Sequence, residues 1–199
     1  MKTIARAITI AFVVGLLAAT ACIERKPHRV EQKEDPVSSQ LREIYEEDLA
    51  MRADTTRSPD HVALMAARHR ETVYELLSQA VITDPEDLVR AAYILHHADL
   101  HRCRETHLLA HHLALTAVDK GYEDARLLAA IALDRFLIAA GVPQRFGTQY
   151  LNDPAEGPPT LYPIDSATTD SERAVWHVPP LDSLKAGRLP SPTLPAAEE

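Results

Sequence analysis

Glycine is scarce in this sequence, which has only six among 199 residues. There is no G-x-G-x-x-G run or other glycine-rich phosphate loop, which argues against the common nucleotide-binding folds. The absence of a G-x-S-x-G segment likewise removes the usual sign of a nucleophilic serine. The formal net charge is −8 at pH 7, and a surface of that sign argues against a nucleic-acid partner.

Cysteine and aromatic residues are also few. Aromatic residues make up 5% of the chain, so the core must be built from Leu, Ala, Ile and Val. The only cysteines are Cys22 and Cys103. If Cys22 carries a lipid, no intrachain disulfide can form, and we interpret Cys103 as a small, half-buried helix residue.

The N-terminus has the pattern of a secretory signal. A short positive segment with Lys2 and Arg6 is followed by an apolar run over residues 7–21. This run is shorter than the roughly 20 residues that a membrane-spanning helix needs. Its length and flanks are those of a signal peptide, which we assign to residues 1–21.

Small residues precede Cys22, as in a lipoprotein signal whose cysteine is acylated, for example with palmitate. The alternative is ordinary cleavage after Ala21, which leaves a free thiol. We predict lipidation, which would anchor the exported protein stably through more than one acyl chain. Ile23 is not the aspartate associated with inner-membrane retention, so the cell membrane and the outer membrane of a bacterium both stay open.

Proline and polar residues divide the rest of the chain. Residues 22–37 are charged and polar, and they predict a tether. Residues 38–186 are predicted to form the helical domain. Residues 187–199 are rich in proline and predict a disordered tail.

Apolar residues at helical spacing, with capping signals, predict four to five helices. The first begins at Ser38 or Ser39, and the next two begin at Ser58-Pro59 and at Asp84-Pro85. The others cover about 104–119 and 123–140. Short helices are indicated at Asp170 and Pro180, whereas residues 142–165 predict irregular chain. The sequence therefore predicts an all-α fold, a small helical bundle with a proline-rich irregular C-terminal segment.

A weak internal sequence repeat supports an alternative architecture. The pattern D-x-x-x-A-A-x-I at Asp87 returns as D-x-x-x-L-A-x-I at Asp124. Its 37-residue period is close to that of helix-pair repeats of the tetratricopeptide or Sel1-like type. A short helix-pair repeat is therefore the second prediction for the fold.

Histidines concentrate in one segment, with six of the ten between residues 96 and 112. His97 and His101 are spaced i, i+4, and so are His107 and His111. On a helix, each such pair shares one face and can chelate a metal ion. The glutamate of the zincin motif is missing. We predict no cofactor, with a zinc ion at these four histidines as the alternative.

A second polar group follows the fifth helix. Asp134-Arg135 precede a loop with Gln144, Thr148 and Gln149. Arg135 can bind a carboxylate or phosphate through two hydrogen bonds, and the glutamines offer donors and acceptors. A structural network that closes the helix end is an equally good interpretation.

This group carries a resemblance. The run D-R-x5-G-x2-Q-x2-G-T-Q from Asp134 to Gln149 resembles the signature of a helical, often exported bacterial family of unknown function. Short matches surround it at His97-Ala98-Asp99 and at Tyr162-Pro163-Ile164. Leu49 and His96 stand where that family tends to have glutamine. The resemblance implies no activity, but it implies that nine side chains converge: Asp48, Arg52, His97, Asp99, Asp134, Arg135, Gln144, Thr148 and Gln149.

Three functions are consistent with these features. The first is a non-catalytic binding or interaction module of the cell envelope, with a polar pocket for a small polar ligand or an envelope protein. The second is a hydrolase, metal-assisted or using His97 with Asp99 or Asp134 to activate water. The third is a helical-repeat scaffold for a protein partner.

Overall fold

The computed structural model describes residues 35–151 and 158–195. The predicted signal peptide over 1–21, the lipidation site Cys22 and almost all of the predicted tether lie outside the described residues. These predictions therefore stay predictions.

The regular elements of the described chain are helices apart from one pair of two-residue strands, which confirms the predicted all-α fold. Five long helices are followed by the strands and two short helices. In chain order the elements are α1 (Pro36–Ala53), α2 (Pro59–Ser78), α3 (Pro85–His96), α4 (Arg104–Asp119), α5 (Ala125–Ala139), β1 (Tyr150–Leu151), β2 (Thr160–Leu161), α6 (Asp170–Val175) and α7 (Leu181–Lys185).

The first three helices begin with the same local chemistry, an oxygen-bearing cap followed by proline. The caps are Asp35, Ser58 and Asp84, and each side chain accepts a hydrogen bond from a backbone N–H of the first turn. The prediction that α1 begins at Ser38 or Ser39 is therefore wrong. The hydroxyl of Ser38 instead donates to the carboxylate of Asp87, which joins α1 to α3.

Helix α3 lies at the centre of the domain. Every residue from Asp87 to His96 is buried, because α3 packs against α1, α2, α4 and α5. Alanines such as Ala91, Ala92, Ala114 and Ala129 are completely buried and allow the helices to approach closely. A helix covered on all sides has no polar face for water, and its two buried charges, Asp87 and Arg90, pair with each other at 2.8 Å.

The order of helix contacts also bears on the predicted repeat. Neighbouring helices pack in pairs, and α3 additionally contacts both α1 and α5. This arrangement is shared by a compact bundle and by a short stack of helix pairs. The helix-pair alternative, which relates α3 to α5, stays a prediction.

The proline-rich segment after α5 is more ordered than its composition predicts. Strands β1 and β2 pair antiparallel, with Tyr150 opposite Leu161, and Gln144 bridges to Ile164 in parallel. Phe146, Val178 and Leu184 form a second apolar cluster against α5. The segment therefore covers one side of α5.

The beginning of the predicted disordered tail also contacts the domain. Leu194 packs against the main core, and the Tyr45 hydroxyl donates to the carbonyl of Pro195 at 3.5 Å. Apolar contacts therefore reach into residues 187–195 through Leu189 and Leu194, while the predicted disorder of the tail stays a prediction. Residues 196–199 lie outside the described residues.

Within the described ranges, no helix combines the length and the apolar character needed to cross a membrane.

Candidate functional site

Asp134 of α5 holds the Gly-Thr-Gln loop in place. Its fully enclosed carboxylate accepts four hydrogen bonds, from the backbone N–H groups of Arg145 (2.7 Å), Phe146 (2.9 Å) and Thr148 (2.9 Å) and from the Thr148 hydroxyl (2.9 Å). Burial raises the pKa of this carboxyl, and the four donors act in the opposite direction. Asp134 and Thr148 are therefore parts of the loop's architecture.

Gln144 closes the same loop from the other side. Its amide nitrogen donates to the carbonyls of Gln149 and Tyr162, each at 3.0 Å, and its amide oxygen accepts from the Gln149 N–H at 2.8 Å. The side chain is completely buried. With all its polar atoms bonded to protein, Gln144 has none left for a ligand.

Two further contacts fix the loop. Gly147 has a φ of +89°, and a Cβ there would lie 3.2 Å from both Ile164 and Leu184, so any other residue would be strained at this position. Arg173 of α6 is almost completely buried and donates from Nε to the Phe146 carbonyl at 2.9 Å. Half of the signature therefore builds the loop rather than a pocket.

Arg135 is the member of the signature with unused hydrogen-bonding capacity. Nη1 donates to the side-chain oxygen of Gln149 at 3.1 Å, and Nη2 donates to the Ala98 carbonyl at 3.0 Å. Its Nε is enclosed and has no acceptor in the described structure. Both acceptors are neutral, whereas the buried Arg90 and Arg173 each pair with a carboxylate. Burial first, and then the charge of Arg52, lowers the pKa of Arg135.

Asp48 of α1 gathers three side chains beside Arg135. Arg52 donates to it from Nε at 2.6 Å and from Nη2 at 3.2 Å. His69 lies 3.4 Å away through Nδ1, and His97 Nδ1 lies 3.9 Å away. The Asp48 carboxylate is completely buried, so it fixes the position of Arg52 at the edge of the cluster.

The rings of His96 and His97 contact each other at the end of α3, inclined by 48°. Their ring centroids are 3.7 Å apart, and Nδ1 of each ring lies within hydrogen-bonding distance of the Tyr93 carbonyl, at 2.6 and 3.0 Å. Burial, followed by the charge of Arg52, lowers the pKa of His97 to about 3. Burial also lowers the pKa of His96 well below its usual value. Both rings are therefore neutral at pH 7.

Asp99 does not join this cluster in the way the resemblance implies. Its carboxylate accepts from the backbone N–H groups of His101 (3.0 Å) and Arg102 (2.9 Å) in its own turn. The nearest carboxylate to His97 is that of Asp48, and Asp134 is committed to its loop. The expected pairing of His97 with Asp99 or Asp134 is therefore wrong.

The predicted histidine pairs are also separated. Helix α3 ends at His96, so His97 and His101 do not share a helix face, which corrects that prediction. His107 and His111 do share α4, but His107 Nε2 lies 3.1 Å from the Asp99 carbonyl and His111 Nδ1 lies 2.8 Å from the Ala129 carbonyl. Among residues 35–151 and 158–195, no three His, Cys, Asp or Glu side chains are grouped to hold a metal ion.

The structure thus brings five of the nine candidates together: Asp48, which holds Arg52 and lies 3.9 Å from His97, and the four residues Arg52, His97, Gln149 and Arg135. We call these four residues the Arg135 site. Tyr162 lies close enough to Arg135 to influence its pKa, and it also lines a groove of about 320 Å³ with His101 and Ile138. Sequence reasoning missed His96, His69 and Arg173. His96 had a signal, because it stands where the resembling family tends to have glutamine, and Arg173 had one in its i, i+3 spacing from Asp170 at the start of α6.

Comparison of the chain with protein-family models, with curated proteins and with solved structures finds no match in any of the three. The resemblance to the bacterial family with the D-R-x5-G-x2-Q-x2-G-T-Q signature therefore stays a prediction. The interpretation of the Arg135 site depends on its geometry.

Proposed function

We propose that this chain is an exported lipoprotein whose helical domain is a non-catalytic binding module of the cell envelope. Its ligand is a small anion, a carboxylate or a phosphate, held at the Arg135 site. The membrane partner is the lipid bilayer, through Cys22.

The observation that carries the binding proposal is the unbalanced charge of Arg135. A guanidinium taken out of water is stabilised best by an anion, and neutral oxygens compensate it only in part. Arg135 donates to two neutral oxygens, and its Nε has no acceptor in the described structure. An anionic ligand would neutralise this charge.

Arg52 adds a second positive group to the site. Its Nε and Nη2 are engaged by Asp48, which leaves Nη1 without a partner among the described residues. Since a quarter of the Arg52 side chain is exposed (25%), that nitrogen can reach a ligand from solvent. Two guanidiniums that are fixed by other contacts lose little side-chain entropy when an anion binds.

The hydrolase has less support. A histidine whose pKa is about 3 is a poor general base at neutral pH. The carboxylates of Asp99 and Asp134, which were expected to assist it, are engaged by backbone N–H groups.

Thermal unfolding of the full chain, purified in detergent, tests the binding proposal. We expect acetate or phosphate to raise the melting temperature, since a ligand at a hundredfold excess over its Kd stabilises the native state by about 2.7 kcal/mol. Arg135→Ala should abolish this shift. Arg126→Ala is the matched control, because Arg126 is also a half-buried helical arginine but pairs with Glu123.

Arg135→Lys is a second variant in case Arg135→Ala fails to fold. It keeps the positive charge but lacks the planar set of guanidinium donors. We expect it to fold and to bind the anions more weakly than the native chain. The proposal is wrong if the anion-induced shift survives in Arg135→Ala.

Incorporation of labelled palmitate into the full chain tests the lipid anchor. The native chain and Cys103→Ser should be labelled, and Cys22→Ser should not. Equal labelling of Cys22→Ser would refute acylation at Cys22, and an unlabelled native chain would favour ordinary cleavage after Ala21.

A further inference from the structure

The tautomers of His96 and His97 can be read from their contacts. A carbonyl oxygen only accepts hydrogen bonds, and the Tyr93 carbonyl lies 2.6 Å from Nδ1 of His96 and 3.0 Å from Nδ1 of His97. Nδ1 of each ring must therefore carry the proton and donate. In a neutral imidazole the other nitrogen, Nε2, is then a bare acceptor.

Neither Nε2 atom has a donor among the described residues. The side chain of His97 is 23% exposed, so solvent reaches part of this ring. The charges of Arg52 and Arg135 both disfavour protonation of this ring. The Asp48 carboxylate lies on its Nδ1 side, 3.9 Å away, where it supports the same tautomer.

The Arg135 site therefore combines two kinds of group. The guanidiniums of Arg52 and Arg135 donate and carry positive charge, whereas Nε2 of His97 accepts and cannot donate. A fully deprotonated anion that fills such a site directs an oxygen lone pair at the Nε2 lone pair. An anion with a hydroxyl of its own satisfies both kinds of group at once.

We propose that the Arg135 site selects an oxyanion that carries its own hydrogen-bond donor, such as hydrogen phosphate or a hydroxy carboxylate. The oxygens of the anion accept from the two guanidiniums, and its hydroxyl donates to Nε2 of His97. This inference rests on the proposed function, since it names the ligand class of the same site.

A bare imidazole nitrogen is also the usual ligand of a transition metal. The arrangement here is unfavourable for a cation, because the charges of Arg52 and Arg135 act on the same ring. The two arginines instead favour the anion.

Phosphate and sulfate are suitable probes, because one carries a hydrogen-bond donor and the other does not. They have nearly the same size and tetrahedral shape, and at about pH 8 both are chiefly dianions, but only phosphate keeps a proton. We expect calorimetry with the full chain to give a Kd for phosphate about tenfold or more below that for sulfate, since an unpaired buried acceptor discriminates by this amount. Lactate against propionate repeats the comparison for carboxylates and distinguishes the two sources of the anion.

His97→Ala removes the acceptor and should bring the phosphate-to-sulfate ratio toward one, while sulfate still binds. His97→Gln serves as a second variant in case His97→Ala fails to fold. Its amide can donate as well as accept, so it should also reduce the phosphate-to-sulfate ratio. His112→Ala is the matched control, since His112 is an exposed histidine of α4, and it should keep the native ratio.

The outcomes separate the two proposals. Equal affinity for phosphate and sulfate, abolished by Arg135→Ala, would overturn the selectivity and leave the anion site standing. A native ratio in His97→Ala and His97→Gln would overturn the role of His97. Failure of all four anions to bind would overturn both proposals, and stabilisation by zinc alone would replace them with a metal site.

Discussion

Replacement of Asp134 should separate the architectural half of the signature from the rest. The Asp134 carboxylate is completely buried and accepts four hydrogen bonds at 2.7 to 2.9 Å from residues 145–148. Asp134→Ala removes all four acceptor contacts and leaves three backbone N–H groups without a partner.

The magnitude follows from two opposing terms. Hydrogen bonds to a charged group contribute roughly 1.5–3 kcal/mol each, so four of them give a gross stabilisation of roughly 6–12 kcal/mol. Desolvation of the carboxylate offsets several kcal/mol of this. Each buried N–H group that the substitution leaves without an acceptor costs roughly 1–3 kcal/mol. We expect Asp134→Ala to lose about 4 kcal/mol, a large part of a total stability of about 5–15 kcal/mol.

Urea unfolding at constant pH measures this loss, with an unchanged m-value showing that the transition stays two-state. Asp134→Asn should lose less, because one amide oxygen still accepts. Asp182→Ala is the control, since its side chain is 98% exposed and lies 3.7 Å from Lys185, and it should change stability by less than about 0.5 kcal/mol. A loss within about 1 kcal/mol for Asp134→Ala would refute the reasoning.

Two further outcomes follow from the same structure. Gly147→Ala should destabilise the domain by roughly 1–3 kcal/mol, because it combines a positive φ with close contacts. Gly121→Ala should cost less, since a Cβ there meets nothing within 4 Å. Equal losses of the two variants in urea unfolding would contradict this. The free energy of unfolding should also fall below about pH 6. The folded-state pKa values of His97 (about 3) and His107 (about 4) lie below the unfolded value of 6.5. The unfolded chain therefore binds more protons than the folded one as the pH falls from 6.5. Each histidine contributes about 1.4 kcal/mol per pH unit to the slope of the unfolding free energy against pH. His107→Gln should remove one such contribution. An unchanged slope in that variant would contradict the lowered pKa of His107.

Local chemistry made much of the fold predictable. The cap-proline signals at Ser58-Pro59 and Asp84-Pro85 start α2 and α3 as expected, because a cap and the first turn involve only neighbouring residues. The same signal at Asp35-Pro36 lies inside the segment predicted as a tether, so the predicted start of α1 falls two or three residues late. The order in the proline-rich segment was not predictable, since it depends on contacts of Phe146 and Leu184 with α5 and with each other.

The sequence by itself determined the helices and their all-α class, since apolar spacing, caps and prolines act over a few residues. It also marked Asp134, Arg135 and Gln149 as a group, through their spacing near one helix end. Only the tertiary structure decided which of them are architecture and which keep hydrogen-bonding capacity unused by the described protein. Asp134 is enclosed by four donors and Arg135 is left with neutral oxygens, because donors and acceptors come from segments far apart in the chain. The Asp48 carboxylate, which lies 3.9 Å from His97, likewise comes from α1, across a core that no local pattern encodes.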